Sequence, residues 1–216
     1  MAEVSEVVAT PLTPASPPRR GPDGVGVVAY LIFVLVGGLL VFGLARTLAP
    51  SAESHREAAC RPLKPEPRFG PAPEITLETL SGEPRSLADY RGKFVVLNFW
   101  GTFCEPCIEE WPALDTLAQR LRSAGHDDVV VLAVSLDPEK SDIQPFLERM
   151  SLEASDVEVL WDPTQKGNAE FGSTLIPDTY FIAPDGDLEQ AFINVRRWGR
   201  PDAYRCVDWS ARNAAG

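Results

Sequence analysis

Residues 94–112 have the sequence FVVLNFWGTFCEPCIEEWP. The apolar, partly β-branched start, Phe94–Trp100, predicts a buried central strand. A helical pattern begins at residue 105, so Cys104 and Cys107 lie where the strand passes into a helix. The first turn of a helix has unpaired backbone N–H groups, which favour a thiolate on a sulfur placed over them. The stretch therefore predicts a redox-active cysteine pair at the head of a helix.

The two cysteines have different expected roles. Cys104 comes first in the motif and is expected to be the exposed nucleophile. The helix dipole favours its thiolate, because it can lower a thiol pKa from about 8.5 towards 7. Cys107 lies one turn further on and would resolve the mixed disulfide that Cys104 forms with a substrate. Pro106 suits the first turn, where no N–H partner is needed, and it restricts the geometry of the disulfide ring.

A metal site is the alternative interpretation of the cysteine pair. A closed zinc site needs further Cys or His ligands, usually from a second close pair. The remaining candidates are isolated from one another in the sequence: Cys60, Cys206, His55 and His126. We therefore expect no metal and no dissociable cofactor, because a disulfide itself carries the two electrons of the exchange.

Outward from this stretch, residues 74–216 alternate between strand-like and helix-like segments. A Pro-Asp-Gly turn at residues 184–186 predicts a hairpin between the last two strands. Strands alternating with helices predict an α/β domain with a central mixed sheet flanked by helices. The predicted strands are residues 94–100, 129–136, 157–161, 179–183 and 188–195, and the predicted helices are residues 105–123, 141–151, 164–171 and 201–213.

The N-terminal third has a different organisation. Residues 25–45 carry no charged side chain, and their length is close to the ~20 residues with which a helix crosses a bilayer. A signal peptide would have a shorter apolar region of about 7–15 residues, so we predict an uncleaved transmembrane anchor, with cleavage near Ala49 left open. Residues 1–24 predict a disordered tail, and the proline-broken residues 46–73 predict a semi-rigid tether.

The charge distribution limits the classes of partner. Residues 74–216 hold 25 acidic against 13 basic residues, a net charge of −12. Nucleic acid is excluded as a partner, because binding to its phosphates needs clustered Lys and Arg. Basic residues lie on both sides of residues 25–45, so their distribution does not orient the anchor.

Two motifs, WGTFCEPCIEEWP (100–112) and GSTLIPDTYFIAPDG (172–186), resemble those of the membrane-anchored, extracytoplasmic thioredoxin-like proteins of the TlpA/ResA type. The resemblance covers about residues 70–195 and implies a thioredoxin-like fold preceded by one transmembrane helix. It also implies that Pro177 is a cis-proline facing the disulfide, and that the backbone at Ile176 and Pro177 binds a substrate strand. A proline that only ends a loop is the alternative.

The resemblance also bears on proton transfer. Thioredoxins have a buried Asp six residues before the first cysteine, where this chain has Asn98, which does not titrate at neutral pH. Glu110 matches the acidic residue of the TlpA/ResA subfamily. We hypothesise that Glu110 is partly buried, has a raised pKa and transfers a proton to or from Cys107. A solvated carboxylate like that of Glu109 is the alternative.

Further residues are expected around the site, where Trp100, Phe103, Glu105 and Pro106 are predicted to contact the substrate. Trp100 and Phe103 are expected to form an apolar surface beside it, with Phe103 replacing the Trp more usual in the family. Glu105 matches the subfamily and is expected to be exposed, where its charge opposes thiolate formation at Cys104. Asp178 departs from the small hydroxyl residue that is common after the cis-proline, which leaves substrate preference open.

Cys60 and Cys206 lie outside the motif, one in the expected tether and one in the last predicted helix. In an oxidising compartment they can form a structural disulfide that joins the tether to the domain. Two unpaired cysteines are the alternative.

Together these expectations describe a protein-disulfide reductase, a thiol-disulfide oxidoreductase held in the inner membrane by one span, with its redox domain on the periplasmic or extracytoplasmic side. The resemblance implies a membrane thiol-relay protein as reductant. It further implies protein disulfides of cytochrome c maturation or oxidase copper-site assembly as substrates.

Two alternatives remain for the function. A peroxiredoxin-like thiol peroxidase would have a Thr and a Pro around one cysteine, a spacing that residues 102–104 do not reproduce. A non-enzymatic copper-binding chaperone would need a histidine such as His55 or His126 to join the two cysteines.

Overall fold

The structure is a computed structural model that describes residues 23–48 and 58–214. Residues 1–22 of the tail expected over residues 1–24, the cleavage region near Ala49 and the part of the tether that contains His55 lie outside the described residues. The chain divides into two units, residues 1–49 and residues 50–216, which are described separately.

The first unit contains one helix, α1 (Gly24–Leu48), in its described part. Of the residues that the structure describes, 24–44 form the one stretch of helix long and apolar enough to cross a membrane. Large apolar side chains such as Phe33 and Leu35 are exposed on it. Because water solvates such a surface poorly, an apolar surrounding such as a bilayer would stabilise α1.

The second unit is built on a mixed sheet. In the described residues its eight strands are β1 (Glu66–Pro67), β2 (Leu77–Thr79), β3 (Pro84–Arg85), β4 (Phe94–Trp100), β5 (Val129–Ser135), β6 (Glu158–Trp161), β7 (Asp178–Ile182) and β8 (Leu188–Ile193). Their order across the sheet is β1-β8-β7-β4-β5-β6-β2-β3. Strand β4 lies centrally, parallel to β5 and antiparallel to β7, and β5 is parallel to β6.

Both faces of the sheet are covered, and successive residues of β4 point to opposite faces. On one face, Phe94, Val96 and Trp100 pack in the same core cluster as apolar residues of α2 (Glu105–Ser123), α3 (Ile143–Met150) and α5 (Pro201–Ala214). On the other, Val95, Leu97 and Phe99 pack with residues that include Phe171 and Tyr90. Burial on two sides explains why β4 is a continuous apolar run. The described part of this unit also contains the short helix α4 (Gly167–Glu170) and 3-10 turns at Arg61–Leu63, Leu87–Tyr90 and Lys140–Asp142.

The predicted helix over residues 164–171 is shorter in the structure. Only Gly167–Glu170 forms α4, because the buried carboxylate of Asp162 accepts hydrogen bonds from the backbone N–H groups of Thr164, Lys166 and Gly167. These bonds hold residues 162–166 in a turn. The predicted helix over residues 141–151 likewise begins as a 3-10 turn and becomes α-helical at Ile143.

The folded domain begins before the expected boundary at residue 74. Strand β1 pairs antiparallel with β8, and Pro71 forms an isolated bridge with Asp187. The described part of the expected tether, residues 58–73, therefore lies against the domain. Proline-rich composition favours an extended chain but does not separate a linker from an edge strand, where proline is also tolerated.

Candidate active site

Cys104 is the N-cap residue of α2, at the point where β4 ends and the helix begins. Its Sγ accepts a hydrogen bond from the backbone N–H of Cys107, with an N···S distance of 3.3 Å. Cys104 and Cys107 form a disulfide. After reduction, the same N–H and the helix dipole would favour a thiolate at Cys104.

The two sulfur-bearing residues differ in accessibility, but less than expected. Cys104 is 8% exposed and Cys107 is 2% exposed, so Cys104 is the more accessible of two nearly buried residues. The expectation of an exposed nucleophile was wrong in degree. The loop before β7 accounts for this, because the carbonyl oxygen of Ile176 lies 3.7 Å from the Cys104 Sγ.

The Ile176–Pro177 peptide bond is cis. Pro177 is buried and Ile176 is half-buried directly before β7, whose first residue, Asp178, pairs with Phe99 of β4. The pairing of β7 with β4 brings the loop to the end of β4, where Cys104 lies. The sheet topology therefore brings two motifs that are distant in the sequence to one place.

Glu110 lies one turn along α2 from Cys107 and is 4% exposed. Its Oε1 accepts a hydrogen bond of 2.6 Å from the backbone N–H of Arg196, and its Oε2 accepts one of 3.3 Å from the Asn98 side-chain amide. Burial raises the pKa of Glu110 to about 7, although the Arg196 N–H, the Trp198 side chain and the Asn98 amide partly offset this by favouring the charged form. Glu109, by contrast, is exposed.

Asn98 holds Glu110 from the sheet side. It is buried in β4, and its amide nitrogen donates to the Thr179 hydroxyl at 3.0 Å as well as to Glu110. An amide cannot exchange protons at neutral pH, but it can fix the orientation of a neighbouring carboxylate. Asn98 thus orients the carboxylate, and Glu110 is the residue of the pair that can gain or lose a proton.

Trp100 does not form part of the surface. It is fully buried, its ring meets that of Trp111 edge-on at a centroid distance of 5.1 Å, and it also packs against Phe146. The expectation that it contacts substrate was therefore wrong. As the last residue of β4, it points to the face of the sheet that α2, α3 and α5 cover.

An open groove of about 740 Å³ lies beside the disulfide. Phe103 and Leu175, on its rim, are 64% and 65% exposed. Glu105 and Pro106 are also exposed there, and Asn168 and Ile176 lie nearby in the lining. Leu175 was missed by the sequence analysis, although its place two residues before Pro177 in the quoted motif could have indicated it.

Asp137 also was missed, and it supports the loop that carries the redox pair. It is almost fully buried and accepts hydrogen bonds from the backbone N–H and the hydroxyl of Thr102, at 3.0 Å and 2.6 Å to Oδ1. The Ser135 hydroxyl donates to its Oδ2 at 2.6 Å. An Asp at the end of a predicted strand is a weak signal, because it does not show which loop the carboxylate will meet.

The Asp178 side chain points inward. It is fully buried and accepts hydrogen bonds from the Asn194 backbone N–H, at 2.8 Å, and from the Ser173 hydroxyl. Burial raises its pKa, while these hydrogen bonds lower it. The departure from a small hydroxyl residue therefore alters the support of the cis-proline loop rather than the surface that a substrate meets.

Cys60 and Cys206 form a disulfide, and both residues are fully buried. It joins the segment before the 3-10 turn at Arg61–Leu63 to α5. His126 lies beyond the opposite end of α2 from the redox pair, with its Nε2 2.8 Å from Asp208. In residues 23–48 and 58–214, no group of three or more His, Cys, Asp or Glu side chains could hold a metal ion.

Comparisons with known proteins agree with this geometry. The family model described as "AhpC/TSA family" matches residues 70–191. The chain is similar to the thiol-disulfide oxidoreductase ResA of Geobacillus kaustophilus, with 34% identity over 119 residues, which are 55% of this chain and 65% of that protein. It is also similar to the thioredoxin-like protein YneN of Bacillus subtilis, with 36% identity over 56% of this chain and 69% of the relative. The chain therefore spans just under two thirds of the first curated relatives.

A solved structure gives the same fold. The solved structure of a "putative Thiol:disulfide interchange protein DsbE from Chlorobium tepidum" superposes with a TM-score of 0.56 over 69% of this chain and 98% of its own, at 23% identity. The expected thioredoxin-like α/β fold with one preceding apolar helix is confirmed.

Proposed function

Since the chain belongs to the AhpC/TSA family and is a ResA/TlpA-like member of the thioredoxin superfamily, we propose that it is a thiol-disulfide oxidoreductase that reduces protein disulfides. One arrangement carries the proposal. The Cys104–Cys107 disulfide caps α2, opposite the loop of Pro177 and one turn before the buried Glu110.

The reaction begins with the reduced pair. The Cys104 thiolate attacks one sulfur of a substrate disulfide, which forms a mixed disulfide and releases the other substrate sulfur as a thiolate. Cys107 passes its proton to the Glu110 carboxylate, and the resulting thiolate attacks the Cys104 sulfur. The Cys104–Cys107 disulfide forms and the second substrate sulfur leaves. The substrate gains two electrons and the cysteine pair loses them.

A return of the cysteine pair to the dithiol needs an external reductant. We propose a membrane thiol-relay protein for this role, since exchange with another dithiol supplies both electrons without a dissociable cofactor. Helix α1 supports the placement, because a membrane anchor would hold the redox domain near such a donor.

The groove beside Cys104 favours a protein substrate. The exposed side chains of Phe103 and Leu175 offer apolar contacts in the groove that Cys104 also lines, and the backbone carbonyl of Ile176 offers a hydrogen-bond acceptor. A cysteine in an extended segment with an apolar neighbour suits this surface. Apocytochrome c and the copper-site proteins of respiratory oxidases are the substrate classes that we propose.

An extracytoplasmic location agrees with the second disulfide. A buried structural disulfide such as Cys60–Cys206 persists in oxidising compartments and is rare in the cytosol. We therefore propose that the redox domain faces the periplasm or the outer surface, anchored to the cytoplasmic membrane by α1.

Trapping of substrates tests the proposal directly. In Cys107→Ser, the mixed disulfide formed by Cys104 cannot be resolved, so covalent complexes should accumulate in the native host and disappear on reduction. The double variant Cys104→Ser, Cys107→Ser is the control and should trap nothing. Equal trapping by both variants, or none by either, would contradict the proposal. Rapid consumption of hydrogen peroxide by the reduced wild type, without disulfide exchange, would favour the thiol peroxidase instead.

A further inference from the structure

The buried Cys60–Cys206 disulfide lies close in sequence to a contact with the redox site. Three residues after Cys60, at the end of a 3-10 turn, the backbone carbonyl of Leu63 accepts a hydrogen bond of 2.7 Å from the Arg196 Nε. The Leu63 side chain is buried in the same core cluster as Cys60 and Cys206. The disulfide thus fixes the segment that presents this carbonyl.

Arg196 joins this carbonyl to the active site. Its Nη1 donates to the backbone carbonyls of Asn194 and Val195, at 3.1 Å and 3.0 Å, so the guanidinium holds its own loop as well as Leu63. The backbone N–H of the same residue donates to Glu110 Oε1 at 2.6 Å. One residue therefore contacts the disulfide-bound segment through its side chain and the proposed proton carrier through its backbone.

We propose that the Cys60–Cys206 disulfide and Arg196 together position Glu110. The disulfide holds the Leu63 carbonyl against the Arg196 guanidinium, and Arg196 in turn holds the N–H that binds the Glu110 carboxylate. The disulfide then contributes to the redox chemistry, in addition to joining the segment at Cys60 to α5. This inference rests on the proposed function only for its kinetic readout.

The groups around Glu110 determine whether its pKa rises or falls when these contacts are lost. Asn98 faces it from β4, Arg196 and Trp198 face it from the segment after β8, and Cys107 lies on its own helix. The Arg196 N–H and the Arg196 charge both favour the ionised carboxylate. Loss of the positioning alone should therefore raise the pKa of Glu110 without any change in charge.

The test compares variants that keep the positive charge of residue 196 with one that removes it. We expect Cys60→Ala, Cys206→Ala to raise the pKa of Glu110 by roughly half a unit to one unit. Arg196→Met should raise this pKa at least as much. Arg196→Lys keeps the positive charge and one nitrogen donor atom, so its Glu110 pKa should lie between those of Arg196→Met and wild type. Carboxyl ¹³C NMR of the oxidised full chain in detergent measures this pKa, and the pH profile of single-turnover disulfide reduction should move in parallel.

Val207→Ala is the matched control. Val207 is buried on α5 next to Cys206, in the same core cluster as Leu63, and its apolar side chain cannot take part in the hydrogen bonds of Leu63 or Arg196. It should lower the thermal stability and leave the pKa of Glu110 in place. Adding Arg196→Met to the double cysteine variant should give less than the sum of the two shifts, because both changes act on one set of contacts.

Two results would overturn the inference: an unchanged Glu110 pKa in the double cysteine variant, or an equal shift in Val207→Ala. Failure of the proposed function is separate from both. If the wild type reduces no disulfide, the NMR titration still decides whether the disulfide and Arg196 position Glu110.

Discussion

Asn98 and Glu110 meet across the interface between the central strand and the helix of the redox pair, with 3.3 Å between the amide nitrogen and the carboxylate Oε2. Both side chains are buried. The strand thus supplies a group that cannot titrate, and the helix supplies one that can. The proposed proton carrier lies on the same helix as Cys107, one turn away.

The first prediction concerns the pH dependence of the reaction. Glu110 must be ionised to accept the Cys107 proton, so the rate of disulfide reduction should rise with pH through about 7, the pKa that burial gives this carboxyl. Glu110→Gln should remove this rise and slow the reaction on the order of 100-fold at pH 8. Single-turnover reduction of a protein disulfide measures both. Glu109→Gln, an exposed neighbour, should leave the profile unchanged, and an unaltered profile in Glu110→Gln would reject the role.

The second prediction concerns stability. A carboxyl with a folded pKa of about 7 and an ordinary value of 4.5 binds a proton more tightly in the folded chain. Its contribution to stability is therefore complete below about pH 4.5 and is lost as pH rises towards 7, by at most about 3 kcal/mol. The unfolding free energy of the wild type minus that of Glu110→Gln should therefore fall as the pH rises over this range, because Gln does not titrate. Denaturant titrations at several pH values test this, and a difference independent of pH would contradict it.

The sequence predicted the strand, the helix and the cysteine pair because each depends on local patterns. Phe94–Trp100 is apolar throughout, and the apolar spacing after residue 105 has the helical period. The same pattern could not show that Trp100 points into the core, because a strand covered on both faces has no polar side to mark its orientation.

The contacts of Glu110 depend on the tertiary structure. The Asn98 amide is 12 residues away in sequence, and the Arg196 N–H is 86 residues away. A backbone donor has no residue signature, so no sequence pattern could indicate Arg196. The same holds for Asp137, whose carboxylate meets Thr102 from the end of another strand.

The third prediction tests the division of roles between Asn98 and Glu110. Asn98→Asp restores the acidic residue found in thioredoxins and places a second carboxyl beside Glu110. Two buried carboxyls at this distance cannot both ionise easily, so the pair should titrate in two separated steps, the upper one above 7. Activity at pH 7 should fall and recover at higher pH.

Thr179→Val is the control for this variant. It removes the other hydrogen-bond partner of Asn98 without adding a charge. Its pH profile should keep a single step near that of the wild type. A single unshifted step in Asn98→Asp would show that residue 98 and Glu110 do not interact in solution.

The last prediction concerns the groove. Phe103→Ala and Leu175→Ala each remove an exposed apolar side chain from the groove that Cys104 lines, so each should raise the KM for a protein disulfide about 5- to 10-fold, as the loss of roughly 1 kcal/mol of apolar contact implies. Reaction with a small disulfide that does not fill the groove should change little. Val195→Ala, which truncates an exposed apolar residue outside the groove lining, is the control for both. Equal loss of activity towards small and protein disulfides would place the effect on Cys104 itself, because the contacts of the groove act only on a substrate large enough to occupy it.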